Sequence, residues 1–119
     1  MPVTEDVEAL LRGAYDAFNA REIDAAVALM HAGVRWPNGM EGGYVHGHAG
    51  VREYWTRQWQ LIDPSVSPER FAAERDGRIV ADVHQVVRDR SGSVVSDRMV
   101  QHGYTVRDGL IEHMEIREG

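Results

Sequence analysis

The chain contains no cysteine and no lysine among its 119 residues. Without cysteine there are no disulfides, thiolate nucleophiles or cysteine-ligated zinc, and cytoplasm is the default expectation for the compartment. Without lysine, all 13 positive charges are arginines; they are scattered along the chain and outnumbered by 19 acidic residues, giving a net charge of -6. That balance repels phosphate backbones and anionic lipid, and no basic stripe offsets it, so neither nucleic acid nor a membrane is expected as a partner. No apolar run approaches the ~18 residues of a membrane span. Residues 1–6 are acidic and lack an apolar core, so no secretory leader is expected. The remaining composition, 43% hydrophobic and 27% charged, is that of a globular chain. At this length a single α+β domain over residues 1–119 is expected.

Thr4 is a predicted N-cap for a helix in which Val7, Leu10, Leu11, Ala14 and Phe18 share one face. After a polar break, Ile23, Ala26, Val27 and Met30 repeat the spacing, with Gly33 as a stop. A third helix is predicted from about His48, with Val51, Tyr54, Trp55, Trp59 and Ile62 on one side; Pro64 and Pro68 then end it and bracket a linker. Val34 to Trp36 reads as a short strand before Pro37-Asn38-Gly39. In the second half the apolar period changes to two. Phe71 to Glu74 begins a sheet, Ile79 to Val87 and Val94 to Val106 continue it, and Leu110 to Ile116 ends it, with turns at Asp76-Gly77, Ser91-Gly92 and Asp108-Gly109. Three helices packed on one face of a curved antiparallel sheet follow from this order.

A two-residue turn at Ser91-Gly92 pairs residues whose numbers sum to 183. Val83 then faces Val100, Ala81 faces His102, and Ile79 faces Tyr104, so both apolar alternations fall on one face. His102 points toward the helices within an apolar row, and His84 points outward.

The element order and three stretches, NAREIDAAVALM at 19–30, VHGHAGVREYW at 45–55 and RDGLI at 107–111, resemble the nuclear transport factor 2-like superfamily in its SnoaL-like and ketosteroid-isomerase-like branch. The resemblance covers nearly the whole chain. It implies a cone-shaped fold with a pocket between sheet and helices, but it does not fix an activity, because that scaffold hosts many. Counting without gaps from Ile23, the isomerases' general-base aspartate falls on Asn38, whose amide has no useful basicity. Their oxyanion-hole tyrosine falls on Ala14, beside Tyr15, and their second oxyanion donor on Gln101 or His102, with parity favouring His102. Steroid isomerisation itself is therefore disfavoured.

His102 and Asn38 are the candidate catalytic groups, weighed against a hydrogen-bonded core histidine and a plain turn asparagine. Tyr15, Trp36, Trp55, Trp59, Val100, Tyr104 and Met114 are candidate ligand-binding residues, although aromatics at helical spacing are often core. His46 and His48 lack a third ligand nearby, so no metal is expected, and no cofactor is implied. Two functions stay open: a cofactor-free isomerase, cyclase or dehydratase acting on a small apolar molecule, or a non-catalytic binding or dimerisation domain. Val80, Val86, Val95 and Met99 on the outer sheet face suggest a homodimer.

Overall fold

The structure is a computed structural model that describes residues 3–117. Helix α1 spans Glu5–Asn19, α2 Ile23–Val27 and α3 Gly47–Leu61; the strands are β1 Met30–Pro37, β2 Tyr44–His46, β3 Ile62–Ala73, β4 Ile79–Asp89, β5 Val94–Arg107 and β6 Leu110–Arg117. The strands form one sheet in the order β2-β1-β6-β5-β4-β3. Thr4 caps α1 through Val7 N–H, as its sequence predicts, and acidic residues occupy the positive end of that helix. Leu11, Ala14, Tyr15, Val51, Tyr54 and Trp55 turn toward the sheet, where Ile79, Ala81, Val83, Val100, Tyr104 and Met114 meet them in a continuous core. No helix among the described residues is long and apolar enough to cross a membrane.

Three expectations change. The second helix is only five residues long, because Met30 already pairs with Ile111 and the chain runs on as strand through Gly33. That pairing of β1 with β6 is parallel, so the sheet is mixed where an antiparallel one was expected. The expected Pro64–Pro68 linker is the first half of a twelve-residue strand, β3.

Two prolines are tolerated in β3 because of which way the backbone faces. The Val66 N–H and C=O point away from β4, toward the Asn19 side chain, which accepts the first at 2.9 Å and donates to the second at 2.7 Å. The Pro64 carbonyl faces the same way and accepts from Arg21. Pro64 and Pro68 share this parity, so the N–H each lacks belongs to the outer edge and not to the ladder with β4. The end of α1 is thereby tied to the edge of the sheet, with Arg21 also paired to Asp63.

The β4–β5 register holds as expected from Ile79↔Tyr104 through Val87↔Ser96. The route to it differs. Asp89 and Ser93 bracket a three-residue turn, with Gly92 at φ 95° and Asp89 N–H bonded to Ser93 C=O. Arg88 pairs with Val94, which leaves Val95 as an extra residue that restores the parity.

The Asn19 amide replaces a missing strand at the edge of β3. Asn19→Ala would leave both polar backbone groups of the largely buried Val66 without partners and should destabilise the fold by about 1–3 kcal/mol. Urea unfolding measures the loss, and amide exchange at Val66 should accelerate more than exchange in β5.

Candidate functional site

Between the concave sheet face and helices α1 and α3 lies a cavity of about 520 Å³. Its aromatic walls meet edge to face: the Trp36 and Trp55 rings are 5.5 Å apart at 86°, and Phe18 and Trp55 are 5.0 Å apart at 76°. Val66 and Val87 from the sheet, with Met114 and Ile116 from β6, complete the apolar lining.

Its polar centre is a chain of three side chains from α1 and β5. The Tyr104 hydroxyl donates to the Tyr15 hydroxyl at 2.7 Å, and the Tyr15 hydroxyl lies 2.7 Å from Nδ1 of His102. Tyr15 accepts from Tyr104, and Nδ1 is the one other partner its hydroxyl has among the described residues, so the arrangement that leaves no hydroxyl proton unpaired gives that proton to Nδ1 and puts the imidazole proton on Nε2. Nε2 has no hydrogen-bond partner among the described residues, and the ring lines the cavity. His102 is only 5% exposed, and burial lowers its pKa from 6.5 to about 4. At neutral pH it is an uncharged N–H donor. Burial, followed by the neighbouring Tyr104 hydroxyl, raises the Tyr15 pKa far above its ordinary value; burial also raises Tyr104, with its bond to Tyr15 opposing. Both phenols stay protonated.

The predicted residues divide into two groups. Tyr15, Trp36, Asn38, Trp55, His102, Tyr104 and Met114 all line the cavity. Trp59 and Val100 do not. Trp59 packs behind Phe18 and Trp55 with the Arg21 guanidinium over its ring, and Val100 is core on the Val83 side of β5. Asn38 stands at the end of β1, where its Oδ1 accepts from the N–H groups of Met40 and Glu41 and its Nδ2 donates to Glu41. Its polar atoms hold the 38–43 loop, which Tyr54 pins to α3 by accepting from Gly39 N–H at 2.9 Å. Tyr15 is more central than its position beside the matched Ala14 suggests, since both residues line the cavity. Gln58, Gln85 and Arg98 also line it; the 183 register turns Gln85 and Arg98 inward together and was the available signal for them. His46 belongs to β2, and His48 hydrogen-bonds the Met30 carbonyl. Among the described residues no cluster of His, Asp and Glu has the makings of a metal site.

The SnoaL-like domain profile matches residues 11–114. The chain belongs to the SnoaL-like family. Among solved structures it is similar to TerC co-crystallised with polyporic acid, at 26% identity and TM-score 0.84, with 97% of this chain and 92% of that one covered. It also resembles a putative polyketide cyclase from Sinorhizobium meliloti at 16% identity and TM-score 0.78, covering 96% of this chain and 100% of that chain. A Mycobacterium tuberculosis protein in complex with estradiol-17beta-hemisuccinate aligns at 17% identity and TM-score 0.81, covering 98% and 95%. These similarities support the cone-shaped α+β fold of the nuclear transport factor 2-like superfamily. No curated protein matches the chain significantly.

The depressed pKa of His102 makes a signed prediction. In the unfolded chain the ring titrates near its ordinary 6.5, whereas in the fold it resists protonation down to about 4. The unfolded state therefore binds the extra proton between these values. This contribution to stability is complete above pH 6.5, falls as pH drops through the window and levels off below 4, a loss of roughly 3 kcal/mol. His102→Gln keeps an acceptor for Tyr15 and should flatten that part of the pH–stability curve, as read by urea unfolding.

Proposed function

We propose that the chain binds a small aromatic carbonyl compound in the cavity and polarises its carbonyl with the Nε2–H of neutral His102. The observation that carries this reading is the Tyr104–Tyr15–His102 hydrogen-bond chain, in which a Tyr15 proton given to Nδ1 leaves the imidazole N–H on Nε2, at an aromatic-walled space. Each donor in the chain polarises the next, so the terminal N–H is a better donor than an isolated imidazole. The relatives solved with polyporic acid and with estradiol-17beta-hemisuccinate support a small-molecule ligand for this family.

Among the described residues the cavity supplies an electrophile and no strong base. No Asp or Glu is among its described lining residues, the Asn38 amide serves its own loop, and the lone pair on the His102 ring is used by Tyr15. Binding without turnover is thus the first reading. The hydrogen-bonded chain favours a second, cofactor-free enolisation of the isomerase or cyclase kind. In that reaction the donor at His102 stabilises charge building on the carbonyl oxygen, and the proton leaves carbon to water.

The test uses 2-acetylnaphthalene as the probe. Tryptophan fluorescence should be quenched on binding, because Trp36 and Trp55 form the walls. The infrared carbonyl stretch of the bound ketone should fall below its value in a hydrocarbon solvent, and should return toward that value in His102→Leu. A stretch unchanged from hydrocarbon in the parent protein would overturn the reading. Exchange of the probe's methyl protons in D2O, faster with the parent protein than with His102→Leu, distinguishes enolisation from binding alone.

We also propose that two copies pair through the outer sheet face, where Met99 is 52% and Val95 60% exposed beside the half-buried Val80 and Val86. Sedimentation at tens of micromolar should show a species of twice 13.4 kDa, and Met99→Glu should halve it.

A further inference from the structure

Among the described residues, every hydroxyl and amide side chain in the cavity wall but one is hydrogen-bonded within the protein. Tyr15 and Tyr104 bond each other, and the Asn38 amide holds its own loop. Tyr54 accepts from Gly39 N–H and from Nε2 of Gln58, whose Oε1 is sealed off by packing. The exception is Gln85, a half-buried residue whose side-chain amide makes no hydrogen bond among the described residues. Neither of its polar atoms is sealed as Oε1 of Gln58 is. Arg98, opposite it across the strand pair, is engaged separately.

Gln85 stands in an apolar frame. It pairs with Val66 of β3, and its inward neighbours along β4 are Val83 and Val87, all three buried. An open cavity leaves the amide to solvent. A ligand that fills the space excludes that solvent, so a methyl group against Gln85 leaves the amide unpaired, whereas a hydroxyl restores a bond. A polar group in such a frame rejects the analogue that lacks the matching group more strongly than an apolar wall can. Gln85 is opposite Arg98, which is four residues from His102 on β5, about 13 Å along the strand at ~3.3 Å per residue. The two poles differ in sense: His102 presents a donor, and Oε1 of Gln85 is an open acceptor.

We infer that Gln85 determines specificity for a ligand that carries a hydroxyl at the end remote from its carbonyl, with Oε1 accepting the hydroxyl proton. The inference rests on the reading of His102 as the carbonyl donor, and adds to it a second polar group of the ligand, its position and its hydrogen-bonding sense. A ligand hydroxyl placed at the floor instead would find the ring lone pair of His102 already taken by Tyr15.

The experiment compares 6-acetyl-2-naphthol with 2-acetyl-6-methylnaphthalene, in which a methyl group of similar size replaces the hydroxyl. Isothermal titration calorimetry is run at about pH 6, where the naphthol stays protonated. The parent protein should bind the naphthol about tenfold more tightly than the methyl probe, the size of one hydrogen bond in place of an unpaired amide. Gln85→Leu and Gln85→Met should each abolish that preference, weakening the naphthol about tenfold and leaving the methyl probe within twofold. The carbonyl stretch of both bound probes should be lowered in the parent protein and in both variants, with the hydroxyl then at the other end. If the methyl probe binds with its stretch lowered but the parent shows no preference for the naphthol, or both variants keep that preference, the assignment of Gln85 is overturned and the reading of His102 stands. A lowered stretch for the methyl probe alone means that the naphthol binds reversed, and overturns the assignment in the same way. If neither probe binds, or neither shows a lowered stretch, the reading of His102 falls and the inference with it.

Discussion

The inward parity of β5 is the constraint on which the site depends. Because side chains alternate along a strand, one choice of register decides whether Val100, His102 and Tyr104 face the helices or the solvent. A three-residue turn after β4 would by itself turn His102 outward, and the additional residue at Val95 reverses that. With His102 inward, Tyr15 from α1 can reach Nδ1, and with Tyr104 two residues further along, the hydroxyl of one tyrosine can donate to the other. An unpaired imidazole at this depth would carry a desolvation cost with no bond to offset it. The contact of Tyr15 on α1 with His102 on β5 therefore depends on a backbone irregularity at a surface hairpin.

The polar groups of the cavity are graded by depth. At the floor, three neutral side chains satisfy one another and present a single N–H, and burial keeps all three in their uncharged forms. Toward the rim, charge appears where solvent can still support it: Arg98 lines the opening, and Glu41 pairs with Arg57 beside the 38–43 loop.

Much of this was legible before any coordinates. Helices α1 and α3, the hairpin at Asp108-Gly109 and the facing of His102 follow from apolar spacing, turn residues and pairing arithmetic, and the family follows from three short stretches. The register was correct although the turn was not, since the bulge at Val95 compensates for the longer turn, and nothing in the local sequence announces a bulge there. Strand β3 was hidden by Pro64 and Pro68, which read as breakers unless the orientation of an edge backbone is known. Tyr15 was undervalued because the resemblance drew attention to Ala14, one position and ~100° away; the cavity is wide enough that both reach it. Arg98 and Gln85 were within reach, because the sum that turns His102 inward turns them inward too. Trp59 and Val100 show the limit of residue type as a guide, since aromatic or apolar character does not distinguish a wall from the packing behind it.

The fastening of α1 to β3 has a consequence for how this protein behaves in a crowded solution. Over residues 64–68 the outer edge of β3 has no backbone N–H to offer another chain: two positions are proline, and the one between them is already bonded to Asn19. The opposite edge of the sheet is β2, only three residues long. Over residues 64–68 that margin offers no open ladder on which a foreign strand could assemble, and the margin at β2 is short, which is how edge strands are kept from templating fibre growth. The protection at β3 comes from a helix-terminal amide and two imino acids, residues that would ordinarily be read as the end of structure.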